Sequence, residues 1–275
     1  MASVSNRPLP MKASLGIFLS AFLLILPPLF AAESFDHSMF DKFLKKYVNE
    51  KGEVDYAGVK KDPSLLNEYF KQLANVDGYA IKYWRREETL ALWLNAYHAS
   101  LIDTVAKAYP IKSLHDIPGL WESAHVKVGM YSYSLNAIQA GSLIETFRDE
   151  KIYAAIACGA KSCPKFPREA FTGDKVEGQI FMAVRKFVND PEYNVIQPGE
   201  RKIKISRLFK WYADDFQLDF GTTENKPGFS TRETAVLSFL AYYLEDVDKI
   251  KYLEDGRYKV KYLPFDWTLK EWHSA

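Results

Sequence analysis

Cysteine is almost missing from this 275-residue chain, which has only Cys158 and Cys163. That excludes a small disulfide-stapled scaffold and the four-thiolate zinc sites. Histidine is sparse as well. None of the five stands at the i, i+4 spacing of a helical zinc motif, so no metal is expected. Neither sign of charge dominates: 36 Lys and Arg against 35 Asp and Glu leave a formal +1. A nucleic-acid partner would want a basic patch, so none is expected. There is no internal repeat, low-complexity tract or convincing linker. No apolar run reaches the roughly 20 residues of a bilayer span. Lys161-Ser162 resembles the tail of a phosphate-binding loop, but Ala160 stands where glycine should precede it. No motif asks for a cofactor.

The nearest approach to a membrane span is residues 15–30, broken by Gly16, Ser20 and Pro27-Pro28. It follows Arg7 and Lys12 with no acidic residue before it, and small residues Ala31, Ala32 and Ser34 come next. A positive start, a short apolar middle and a small-residue end form a secretory signal. Cleavage is expected after Ala32, with Ala31 and Ser34 as alternatives, and Met11 is a plausible start. The chain would meet the membrane only in transit and work in the periplasm. Losing Arg7 and Lys12 takes the net charge to −1.

Hydrophobic residues are 48% of the 275-residue chain, enough for a sizeable core, which is expected to lie within residues 33–275. Apolar periodicity predicts helices from Ser38, from Asp62-Pro63, and over residues 86–108, where Leu90, Leu94, Tyr97, Leu101 and Val105 share a buried side. A hairpin is expected over residues 126–135, a helix from there to about residue 148, and short strands over 151–157, 202–206 and 258–262. Further helices are expected over 169–188 (with a break at Gly173), 209–216 and 231–244. Helices outnumber strands without alternating regularly with them. The fold class is therefore α+β, a helix-rich single domain with a small, mainly antiparallel sheet.

Chemistry could sit in three places. Asn95 and His98 lie on one stripe of the longest helix with Ala91 and Ile102. Asn is a poor mid-helix residue, so it is either a buried polar tie or, facing a cleft beside Tyr97, an orienting donor with His98 as base. Cys158 and Cys163 bracket a tiny loop. After export they would form a staple, while the alternative is a nucleophilic thiol favoured by Lys161, and zinc is a minor option. Asp214 and Asp215 are adjacent and so point in different directions on a helix. Packing of Trp211, Tyr212 and Phe216 is the expected purpose of that segment.

Trp93-Leu-Asn95-Ala-Tyr97, residues 113–117 after Tyr109-Pro110, residues 157–164 around the cysteines, residues 211–216 and the closing Tyr262-Leu-Pro-Phe-Asp266-Trp267 together resemble the family called domain of unknown function 547. The likeness is best over about 87–190. It implies an exported bacterial protein and no particular chemistry. The family pattern carries Asn where this chain has His98, Glu where it has Gln139, and His where it has Tyr153. A tyrosine is a poor substitute for a base at neutral pH.

Two readings follow. In the first, the chain is a module that binds a small molecule or peptide, with a structural Cys158–Cys163 disulfide and a pocket drawn from Tyr97, Tyr153, Lys161, Ser162, Asp214 and Asp215. In the second, it is a thiol-dependent hydrolase or acyl transferase with Cys158 or Cys163 as nucleophile, His98 as base and Asn95 as orienter. The departures at Gln139 and Tyr153 favour the first.

Overall fold

Helix α4 (Arg86–Ala108) organises the protein, and the other elements are understood by how they cover it. The computed structural model describes residues 35–273; the expected signal at residues 1–32 lies outside them. The stripe of Leu90, Leu94, Tyr97, Leu101 and Val105 is fully buried, and so are Ala91, Asn95, His98 and Ile102. A helix apolar nearly all round belongs in the interior. Small residues such as Ala91, Ala96 and Ala99 let neighbours approach closely.

In chain order, α1 (Ser38–Tyr47), α2 (Tyr56–Lys61) and α3 (Ser64–Ala74) precede α4. Asp36 accepts from the Ser38 N–H at 2.8 Å, Asp55 from Gly58 and Asp62 from Ser64, so each helix starts on a carboxylate that satisfies an otherwise orphaned donor. The hairpin follows as β1 (Ala124–Val128) and β2 (Tyr131–Ser134), antiparallel, with Gly129-Met130 at its turn. A π-helix over Ala137–Glu145 comes next.

Residues 151–157 are not a strand. They form the single turn α5 (Ile152–Ala155) followed by extended backbone at Ile156. A short continuous apolar run carries no periodicity to separate the two states, and Ala154-Ala155 favours helix. The Asp149 carboxylate accepts from the Lys151 N–H at 2.9 Å and starts the turn. Helix α6 spans Val176–Asn189, later than expected. Before it, Gly173 lies so close to Glu88 that a Cβ would fall 2.2 Å from the carboxyl carbon.

β3 (Lys202–Ile205) and β4 (Lys259–Tyr262) are strands as expected, but they pair in parallel, with Ile203 opposite Val260. The small sheet content is thus one antiparallel and one parallel pair within a helix-rich α+β fold. Between them lie α7 (Leu208–Trp211), α8 (Gln217–Phe220), α9 (Thr231–Tyr243) and α10 (Val247–Asp255). The helix expected over residues 209–216 stops at Trp211. Asp214 and Asp215 are poor helix-interior residues, and the Asp215 N–H turns back to the Tyr212 carbonyl at 3.0 Å. That turn points the Trp211, Tyr212 and Asp215 side chains at separate tasks. Among the described residues no helix is long and apolar enough to cross a membrane.

Candidate functional site

The disulfide loop is the firmest piece of the site. Cys158 and Cys163 are bonded, with Cα atoms 5.5 Å apart. Gly159 takes φ +84° between them, a left-handed conformation that side chains resist, and a Cβ there would press on the Tyr56 hydroxyl at 3.1 Å. The loop is strapped to the C-terminal segment. Lys161 N–H donates to Thr268 O at 2.9 Å, the Ser162 hydroxyl accepts from Asp266 N–H at 2.8 Å, and Lys270 N–H donates to Gly159 O at 2.8 Å. The buried Lys270 ammonium donates to Cys163 O at 2.8 Å and contacts the Tyr193 hydroxyl. Burial pulls its pKa down to about 8. The Lys161 N–H and the Ser162 hydroxyl therefore hold backbone, and neither residue lines the adjoining cleft.

That cleft has a volume of about 340 Å³. Tyr97 from α4 and Ile156 after α5 meet the disulfide and Pro164 on one side. Trp121, Asn136 and Gln139 contribute from the loop before β1 and from the π-helix. Leu208, Trp211 and Tyr212 come from α7 and its turn, and Phe265 and Trp267 from the strapped C-terminal segment. Tyr153 completes the lining. Its ring stacks on Tyr212 with centroids 3.8 Å apart, and its hydroxyl donates to Asp215 at 2.6 Å. Gln139 donates its amide to the Tyr212 hydroxyl at 3.1 Å. Gln139 and Tyr153 are thus joined through one tyrosine in the wall of one cleft. π-helical turns often mark functional positions, and this one carries Gln139.

Electrostatically the lining is neutral. No Lys, Arg, His, Asp or Glu lines it. Burial, then the Asp215 hydrogen bond, pushes the Tyr153 pKa well above the ordinary phenol value, so the hydroxyl stays protonated. Burial does the same to Tyr97 and Tyr212. The Tyr97 hydroxyl is buried with no hydrogen-bond partner among the described residues. Asp214 faces away and pairs with Arg232.

Asn95 and His98 lie elsewhere, inside the core. Asn95 grips the Phe171 backbone from both sides, Nδ2 to O at 2.8 Å and N–H to Oδ1 at 3.0 Å. His98 Nε2 accepts the Ala157 N–H at 3.0 Å, so its proton sits on Nδ1, which has no partner among the described residues. Complete burial lowers its pKa to about 3. The lone pair a base would use is already spent on the backbone.

The expected packing holds for Phe216, which is buried, and for Tyr212, stacked on Tyr153. Trp211 packs its ring 4.7 Å from Phe265 and 6.0 Å from Trp267 and is still 45% exposed at the cleft mouth. Sequence reasoning did not see Trp121, Asn136, Phe265 and Trp267 as site residues. The available signal was large aromatics outside any amphipathic period. A larger groove of about 1030 Å³ runs beside α6, and part of its charge is spent internally, in Lys165–Asp190 at 2.6 Å and Arg168–Glu50. No group of residues suited to a metal ion is found among the described residues.

No curated protein and no solved structure matches this chain. Residues 81–188, which carry α4, the hairpin, the π-helix and the disulfide loop, match the family model described as protein of unknown function, DUF547, and this supports the family that the motifs resemble.

Proposed function

We propose that this protein is a binding module whose aromatic cleft, walled by the Cys158–Cys163 disulfide, holds a small uncharged ligand. The observation that carries the reading is the lining itself: seven aromatic side chains and two primary amides around one concavity, with no ionisable acid or base apart from tyrosine hydroxyls. Ligand sites are concave, mostly apolar, and oriented by a few polar groups. The joined sulfurs and the engaged His98 favour this over thiol catalysis.

Export fits the same reading. A signal at residues 1–32 would deliver the chain to an oxidising compartment such as the bacterial periplasm, where a small-loop disulfide persists. Terminal sequencing of the protein recovered from the periplasm of an expressing bacterium is expected to begin at Glu33. An intact Met1 or Met11 there counts against export.

The cleft is tested by NMR with indole ¹⁵N labels and a library of neutral fragments. Saturable shifts confined to Trp121, Trp211 and Trp267 are expected. Fragments that leave these three signals still, while shifting others, would sink the proposal.

A further inference from the structure

We infer that the cleft's ligand is a neutral saccharide ring, an inference that rests on the binding reading above. Several polar groups of the lining are left unused by the protein. Among the described residues the indole N–H groups of Trp121, Trp211 and Trp267 make no hydrogen bond, and neither does the Asn136 side-chain amide. Gln139 spends an N–H on Tyr212 and leaves its carbonyl oxygen free. The lining therefore offers donors and acceptors together, set among flat apolar faces.

Three other ligand classes leave something unpaired. An anion would find no countercharge in the lining, and a cation, though drawn to the ring faces, could accept no hydrogen bond from the indole N–H groups. A wholly apolar ligand would strip water from the indole and amide groups and return nothing, and burying unpaired polar groups is costly. A polyproline segment would stack well but supplies carbonyls alone, leaving the Gln139 oxygen without a donor. A pyranose ring answers all of these demands. Its C–H face lies against an aromatic ring, and each hydroxyl both donates and accepts. The volume, about 340 Å³, is at the small end for ligand sites, which run roughly 300–1,000 Å³, so the bound unit is one or two rings. Trp211, exposed at the mouth, is the natural stacking face.

The test is saturation-transfer NMR on the purified full chain with cellobiose, maltose, lactose and hexaproline as separate probes. At least one disaccharide is expected to receive saturation on its ring C–H protons and to shift the Trp211 and Trp267 indole signals. Trp211→Ala should weaken that binding roughly tenfold with little change in melting temperature, and Gln139→Leu should weaken it as well. Binding of hexaproline at those indoles, with no disaccharide bound, overturns the saccharide assignment while leaving the cleft as a ligand site. No response to any probe also overturns the assignment, and the neutral-fragment titration then decides separately whether the cleft binds anything.

Discussion

At Tyr153 the phenol hydroxyl is committed to Asp215 at 2.6 Å. Tyr153→Phe removes that donor and leaves a half-buried carboxylate without it. A loss of about 1–3 kcal/mol is expected, read as a shift in urea midpoint at unchanged slope. Asn95→Ala should cost more, about 2–4 kcal/mol, because it orphans both the N–H and the C=O of Phe171 in the core. If either variant is as stable as the parent, the hydrogen bond assigned to it contributes nothing. These two residues differ in how far the sequence revealed them. An Asn in the middle of an apolar helix announces a specific partner, though not which one. Nothing near Tyr153 in the chain names Asp215 as its partner, because 62 residues separate them.

Among the elements, α4 was the most legible, since its apolar period runs unbroken from Arg86 to the stop before Pro110. The turn α5 and the parallel β3–β4 pair were not. A six-residue apolar run has no period of its own, and strand direction depends on a crossover through α7 to α10 that no local signal encodes. The disulfide loop and the C-terminal segment it straps act as one element. Replacing Cys158 and Cys163 together with Ser should lower stability by roughly 2 kcal/mol from loop-closure entropy. The same change should loosen the strap, so the Trp267 indole signal is expected to move while that of Trp93 on α4 stays. A double variant with parental stability and an unmoved Trp267 would mean that the bond constrains neither the chain nor the cleft.

For the whole molecule, the aromatic cleft was legible only as scattered residues. Tyr97, Tyr153, Trp211 and Trp267 are brought together by tertiary packing alone, and only the family resemblance pointed to their segments jointly. Buried ionisable groups give the molecule a defined response to pH. His37 and His98 are held neutral by burial, with pKa values lowered to about 4 and about 3. Below roughly pH 6.5 the unfolded chain takes up protons that the folded chain refuses, so their contribution is lost as pH falls. Glu150 acts in the opposite sense. Burial pushes its carboxyl up to about 7, so its contribution is present at low pH and lost as pH rises from the ordinary carboxylate range through 7. Between about pH 5 and 6.5 the net expectation is a stability that falls with acid by up to ~1.4 kcal/mol per pH unit, one uncompensated proton. His98→Gln keeps an acceptor for Ala157 and should flatten that dependence in urea midpoints; an unchanged slope would mean that His98 is not held neutral. The account as a whole turns on the cysteines being a wall of the cleft and not its reagent. Intact-mass analysis after alkylation with iodoacetamide in guanidinium, without reductant, tests this most directly. The predicted result is no adduct, whereas alkylation of Cys158 or Cys163 would contradict the account and put a free thiol beside Tyr153 in the cleft.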